Sequence, residues 1–232
     1  MKKWIIDKES KLIQVLSGRS NAYLLQSGSK SVLIDTGKKN VRTKLTRNLK
    51  KLGIVQIDFL ILTHTHFDHC QNAAYIQKEF KASIIVSKNA KRQISDGFSP
   101  LPKGTTAYYR KLIELANRLG EQGISFEPFS ANEYIDAETI LKLGSTSLEL
   151  FPTPGHSSDS ISIQVNHQYA IVGDTLFGVI PGSVFPPFAD QPHRLSEQWE
   201  KLYDTGCTIF LPGHGRPIAR KLLKKCLFKI DQ

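Results

Sequence analysis

The sequence predicts a fold of mixed α and β structure, and three observations carry that reading. Short apolar runs with period-2 alternation cluster near the N-terminus and return from residue 140 onward, as strands require. Between them, Val41, Leu45 and Leu49 recur at helical spacing, as do Ala73, Ala74, Ile76 and Phe80. Several apolar runs also end in a turn that displays a histidine or an aspartate.

Taken in order, residues 4–6, 12–16, 22–25 and 31–34 form a strand meander broken by Ser17-Gly18 and Ser27-Gly28. It ends in Ile34-Asp35-Thr36-Gly37, where an acid follows a buried strand and the glycine lets the chain turn away. A basic amphipathic helix over residues 38–51 leads to a buried strand over 57–63, a helix over 71–80 and a short strand over 83–86. Residues 89–124 break the rhythm. Pro100, Pro102 and Gly104 punctuate a loop, and Tyr108, Leu112, Leu115 and Leu119 mark an amphipathic helix ending at Gly120. Such a helical insertion covers a site, makes a dimer contact or packs on a sheet edge. Strands are expected again over 140–143, 147–151, 160–165, 169–172 and 208–211, with Leu195, Trp199 and Leu202 on a helix between the last two.

The stretch Thr63-His64-Thr65-His66-Phe67-Asp68-His69 holds four potential metal ligands within six residues, directly after an apolar run. If the chain leaves the strand still extended, His64 and His66 point to one side. Asp68 and His69 follow as the chain turns toward a helix, so they address a second point nearby. Three later turns each add a candidate: Pro154-Gly155-His156, Val172-Gly173-Asp174 and Pro212-Gly213-His214-Gly215. Buried strands make rigid supports, and the glycines permit close backbone approach. His167, His193 and Arg194 lack such a context and are expected at the surface.

Length permits a large core, and one domain over residues 1–232 is expected. With 40% hydrophobic and 22% charged residues and no low-complexity segment, the chain reads as an ordinary globular protein. No apolar run reaches the roughly 18 residues of a membrane span. Met1-Lys2-Lys3-Trp4-Ile5-Ile6-Asp7 is too short in apolar residues for a secretion signal, so a cytoplasmic location is expected. Cys70, Cys207 and Cys226 are an odd set without framework spacing, which suits a reducing compartment.

The net charge of +10 is uneven. Seven basic residues and no acid lie within 38–51, while 216–232 holds six basic residues against Asp231. The first group is a solvated helix face that could also attract an anionic substrate. In the second, Leu223, Leu227 and Ile230 fit the inward side of a last outer helix, with a membrane-surface helix as the alternative.

In order and spacing, His64, His66, Asp68, His69, His156, Asp174 and His214 resemble the ligand pattern of the metallo-β-lactamase superfamily, and the likeness covers nearly the whole chain. The resemblance implies an αββα sandwich of two mixed β-sheets flanked by helices, with the metals at one edge. It implies His64, His66 and His156 on one divalent ion, Asp68, His69 and His214 on a second, and Asp174 bridging them. Zn²⁺ heads the candidates for this thiolate-free set, which also accommodates Fe or Mn²⁺. A metal lowers the pKa of bound water to about 7, so the expected nucleophile is a bridging hydroxide, with Asp68 as the catalytic group that orients it and takes a proton.

The expected reaction is hydrolysis of a small ester, thioester or lactone. A phosphodiesterase and a mononuclear iron oxidoreductase of the same fold are the alternatives. The stretch Gly173-Asp174-Thr175-Leu176-Phe177 is similar to the glyoxalase II type, although 18 residues after His214 leave no room for that type's helical domain. Asp174 stands where enzymes that open β-lactams with a zinc-bound thiolate have Cys, and Phe177 where quorum-sensing lactonases place Tyr. The loop over 178–192, with Pro181, Phe185, Pro186, Pro187 and Phe188, either walls an apolar acyl site or only joins a strand to the helix with Leu195, Trp199 and Leu202. The expected partner is a small-molecule substrate, anionic or not, rather than nucleic acid. A homodimer is one outcome of the insertion.

Overall fold

A computed structural model describes residues 1–118 and 125–228 of the chain. The N-terminal apolar runs become β1 (Lys3–Ile5), β2 (Ser10–Leu16), β3 (Ala22–Ser27) and β4 (Lys30–Ile34), each antiparallel to the last. Helix α1 (Arg42–Lys51) then crosses over to β5 (Phe59–Ile61), which lies parallel to β4. A short α2 (Phe67–Cys70) and α3 (Ala73–Phe80) lead to β6 (Ser83–Ser87), parallel to β5. After α4 (Lys91–Asp96) and α5 (Ala107–Arg118), β7 (Glu133–Ile135) closes a seven-stranded mixed sheet in sequential order.

The second sheet starts with the antiparallel run β8 (Thr139–Leu143), β9 (Thr146–Pro152), β10 (Ile161–Val165) and β11 (Tyr169–Gly173). Helix α6 (Leu195–Asp204) makes the crossover to β12 (Ile209–Pro212), parallel to β11. The two-residue β13 (Ile218–Ala219) and helix α7 (Arg220–Leu227) complete the described chain.

Strand alternation explains the layering. Leu24, Leu33, Leu60 and Ile84 face outward onto Leu45 and Leu49 of α1 and Ile76 and Phe80 of α3. Their neighbours Leu25, Val32, Ile34, Ile61 and Ile85 face the second sheet, meeting Leu148, Leu150, Ile161, Ile163 and Ile171. Beyond that sheet, Val172 and Phe210 pack under Trp199 and Leu202 of α6 and Leu223 of α7. Each such side chain, taken fully from water, contributes about 1.5–3 kcal/mol. The molecule is therefore an αββα sandwich with apolar layers between and outside its two sheets.

Local differences from the sequence reading have physical causes. The basic helix starts at Arg42 after a 3-10 turn over Lys39–Val41. The strand expected over 57–63 pairs only from Phe59 to Ile61, because the residues beyond leave the ladder to carry side chains into the site. Helix α5 does not bury its apolar stripe on a sheet: Tyr108, Leu112 and Leu115 are 70%, 45% and 54% exposed. Leu119, Gly120 and Ile230 lie outside the described residues. Among the described residues no helix is long and apolar enough to cross a membrane.

Candidate metal centre

Past β5 the chain stays extended as far as His66, and its alternation sorts the motif into two faces. His64 and His66 face the gap between the sheets, with ring centroids 4.6 Å apart. Thr63 and Thr65 face back, and each is held by a buried carboxylate. Thr63 donates through N and Oγ1 to Asp35, both at 2.8 Å. Thr65 donates through N and Oγ1 to Asp159 Oδ2, at 2.8 and 2.6 Å. Asp35 adopts φ 59°, a region costly for a residue with a side chain, and this turns its carboxylate back from the end of β4.

The other candidates come from the second sheet. His156 follows β9, Asp174 follows β11 and His214 follows β12. Gly173, at φ 49°, admits Thr63 so closely that a Cβ there would lie 2.7 Å from Thr63 Oγ1. The His214 turn is anchored to the first sheet, since Asn21 Nδ2 and the Tyr23 hydroxyl both donate to the Pro212 carbonyl.

All seven residues named from the sequence converge. Ligand atoms of His64, His66 and His156 lie within 4.8 Å of one another, as do those of His64, His69 and Asp174, and those of Asp68, His69 and His214. The Asp174 carboxylate sits between the sets, 3.4 Å from His69 Nε2, 3.5 Å from His156 Nε2 and 3.2 Å from His214 Nε2. Asp68 reaches His214 Nε2 at 3.3 Å. His167 and His193 are at the surface, where His167 pairs with Glu149, while Arg194 is half-buried on Gln191.

The outward ring nitrogens fix how the inward ones point. His69 Nδ1 donates to Asp35 at 2.9 Å and His156 Nδ1 donates to the Phe188 carbonyl at 2.8 Å. His64 Nδ1 donates to Thr63 Oγ1 at 3.1 Å, because that hydroxyl spends its own proton on Asp35. Each assignment leaves Nε2 facing the cluster, free to act as a lone-pair donor once it carries no proton, the arrangement by which a protein orients a ligating imidazole. Two inward atoms, His64 Nε2 and Asp174 Oδ1, are buried with no hydrogen-bond partner in the protein. Such orphans are costly, and a divalent cation would satisfy both. The residues present fit a metal site.

Charge separates the two sets. Burial holds His64 and His66 below the usual imidazole range and brings His156 down to about 4. Burial acts the same way on His69, but Asp174, Asp35 and Asp68 outweigh it and carry the ring up to about 9. Asp174 and Asp68 likewise raise His214 well above its ordinary value against burial. Burial would raise Asp174, yet His214, His69 and His156 bring it down to about 2, and Asp68 is held low by His69 and His214 in the same way. A cation entering the Asp68, His69 and His214 set therefore displaces protons at neutral pH, whereas His64, His66 and His156 are already neutral. We predict that affinity of the former set rises up to about pH 9, as His69 loses its proton, while the latter changes little near neutrality. Zinc titration of metal-free protein at several pH values checks this, and a pH-independent second equivalent would contradict it.

A cavity of about 360 Å³ opens onto the cluster, walled by Phe67, Leu101, Leu112, Ile113, Phe177 and Phe188. Phe177 stacks on His214, with centroids 4.7 Å apart. The insertion thus contributes to the wall of the site rather than packing on a sheet edge. Thr105 N donates to the Pro187 carbonyl and Ala189 N to that of Lys103, joining the insertion to the 178–192 loop. Only part of that loop serves as a wall, because Phe185 turns away to meet Trp199.

Asp159, Thr65 and the Phe188 carbonyl support the site but were not singled out from the sequence. A usable signal existed for the threonines: a polar residue facing inward from a buried strand needs a partner. Asp159→Ala is expected to weaken metal binding about 10–100-fold by freeing Thr65 between two ligands. Competition with a chromogenic chelator measures this, and wild-type affinity would remove Asp159 from the supporting shell.

Comparison with known proteins agrees with this geometry. Residues 17–214 match the family model described as Metallo-beta-lactamase superfamily, and the chain belongs to that superfamily. A probable metallo-hydrolase of Methanocaldococcus jannaschii is 30% identical over 199 residues, covering 84% of this chain and 87% of that protein. The hydroxyacylglutathione hydrolase GloC of Haemophilus influenzae is 27% identical over 88% of this chain and 89% of its own. An atrochrysone carboxyl ACP thioesterase of Aspergillus fumigatus is 25% identical over 96% of this chain, which spans 61% of that protein. Similarly, the chain spans 59% of the Beta-lactamase-like protein 2 homolog of Caenorhabditis elegans. Among solved structures, the archaeal superfamily protein ST1585 of Sulfolobus tokodaii superposes with a TM-score of 0.70 at 20% identity, covering 95% of this chain and 86% of that one. Family membership and the His/Asp cluster support a metal-dependent hydrolase.

Proposed function

We propose that the chain is a dinuclear metallo-hydrolase, with zinc as its metal, that cleaves an ester, thioester or lactone with an apolar acyl group. The cavity beside the cluster carries this reading. Apart from the His and Asp side chains of the centre, its wall is apolar, with no lysine or arginine among the described residues to neutralise a phosphodiester. The names of two relatives, a hydroxyacylglutathione hydrolase and an ACP thioesterase, lend support from the thioester side.

His64, His66 and His156 would hold one ion, Asp68, His69 and His214 the other, and Asp174 both. When bound, the metals supply a nucleophile at neutral pH and polarise the acyl oxygen. The protein's own contribution is positioning. Asp35 and the Phe188 carbonyl aim two of the imidazoles, and Phe177 keeps His214 in place. Leu112, Ile113 and Phe188 would seat the acyl group and exclude water. The water oxygen bonds to the acyl carbon, the C–O or C–S bond breaks, and the displaced proton moves through Asp68 to the departing oxygen or sulfur. Asp68→Ala, assayed with metal fully loaded, separates that proton role from ligation, since unchanged turnover would remove it.

Turnover of a panel of small esters, thioesters and lactones beside an activated phosphodiester, with zinc- and manganese-loaded protein, tests the assignment. Preference for the carboxyl substrates is expected. Preference for the phosphodiester would overturn it.

A further inference from the structure

A second concave surface lies on the outer side of the first sheet. It is a depression of about 580 Å³ lined by Arg42, Thr46, Arg47, Lys50, Lys51 and Tyr75, among others. No acid lies among its lining residues, nor anywhere within residues 38–51. It contains no histidine, cysteine or carboxylate, so it is a binding surface and not a second reaction centre.

This surface is tied to the metal centre by one buried residue. Asn72, fully buried, accepts from Arg42 Nε at 3.0 Å and donates through Nδ2 to the Lys38 carbonyl at 2.9 Å. It also receives its position from the site, because Thr36 donates to the His69 carbonyl and accepts from Asn72 N. Arg42 also sits over the Tyr75 ring, with its guanidinium carbon 4.6 Å from the centroid. Lys38 places its Nζ 4.6 Å from the centroid of Phe67, a wall residue of the acyl cavity. A row of cations therefore starts at Lys38, over Phe67 and outside the cavity lining, and runs along α1 into the depression. From Arg42 to Lys50 the row is roughly 12 Å long at the helical rise.

We infer that the substrate has two parts: an apolar acyl group seated beside the metal centre, and a phosphate-bearing leaving thiol of the nucleotide type that lies along Lys38 and Arg42 into the α1 depression. The inference rests on the acyl-hydrolase reading above and names the leaving group. The size of the depression suits a compact phosphorylated group, and its charge supplies attraction that the acyl cavity lacks. Hydrolysis then releases the carboxylic acid and the free thiol, with the thiol's proton coming from water.

The test combines binding with kinetics. Desulfo-coenzyme A, which has the phosphates but no thiol to ligate metal, is titrated into metal-loaded protein by calorimetry. Binding is expected, weakening steeply with added salt and at least about tenfold in Arg42→Glu and in Lys50→Glu. In parallel, kcat/KM is compared for one acyl group on coenzyme A and on uncharged N-acetylcysteamine. The ratio should exceed about ten, collapse in both variants and stay unchanged in Lys8→Glu, a charge reversal elsewhere. Circular dichroism confirms that the variants are folded. Undetectable desulfo-coenzyme A binding together with a ratio near one would overturn the inference while leaving acyl hydrolysis standing. Charge-sensitive binding with neither thioester hydrolysed would support the site but sink the reaction.

Discussion

Asp174→Ala is expected to lose about 10²–10³-fold in kcat and to hold fewer metal ions per chain. The reason is its position between the two ligand sets, facing His69, His156 and His214 within 3.5 Å. Among the described residues no other carboxylate lies within 4 Å of imidazoles from both sets: Asp68 pairs with His69 and His214, and Asp35 lies behind His69. In the proposed dinuclear centre, removing Asp174 would take away the negative charge that lets two cations sit close together. The fold should survive, because Asp174 lies just past β11 among the candidate ligands rather than in an apolar layer. Turnover at saturating zinc, read beside the metal content of the dialysed protein, decides the matter. A variant with two metals and wild-type turnover would show that the carboxylate bridges nothing.

Gly213→Ala should be nearly as damaging, although it adds a single methyl group. A Cβ at this position would lie 2.3 Å from Asp174 Oδ1 and 2.6 Å from His69 Cε1. The backbone cannot retreat. Gly213 N donates to the Gly173 carbonyl at 2.6 Å, and its own carbonyl accepts from Asn21 N at 2.7 Å. The clash therefore falls on two ligands, and a displacement near 1 Å there costs about 10²-fold in activity. Metal affinity should fall alongside activity, with little change in far-ultraviolet circular dichroism. Wild-type zinc affinity in this variant would mean that the turn is looser than its hydrogen bonds indicate.

The convergence of the candidate ligands is legible in the sequence because strand alternation and the ends of strands coincide with ligand-type residues. A strand shows alternate residues on one face, and ligand-type residues stood at those positions and at the ends of later strands. What supports them was harder to see. Asp159 holds Thr65 across 94 residues, and Phe188 acts on His156 through a carbonyl that every residue possesses. Asp35 was noticed as a turn residue, but its link to His69 depends on the parallel pairing of β4 with β5. Strand β7, whose Glu133 and Tyr134 are exposed, lacks an apolar run to announce it, and β13 has only two residues. In α5 the periodicity left the surroundings open, since an apolar stripe can face a cavity and solvent as readily as a sheet.

The candidate centre draws its donors from both sheets, so a metal bound there would be a fastening as well as a reaction site. His66 meets His156 across 90 residues and His69 meets His214 across 145. A cation shared by such pairs closes long chain loops, as a disulfide would, without the geometric demands of a sulfur bridge. Its binding free energy is then also free energy for docking one half of the sandwich on the other. A bound ion would thus tie the two sheets together at that edge.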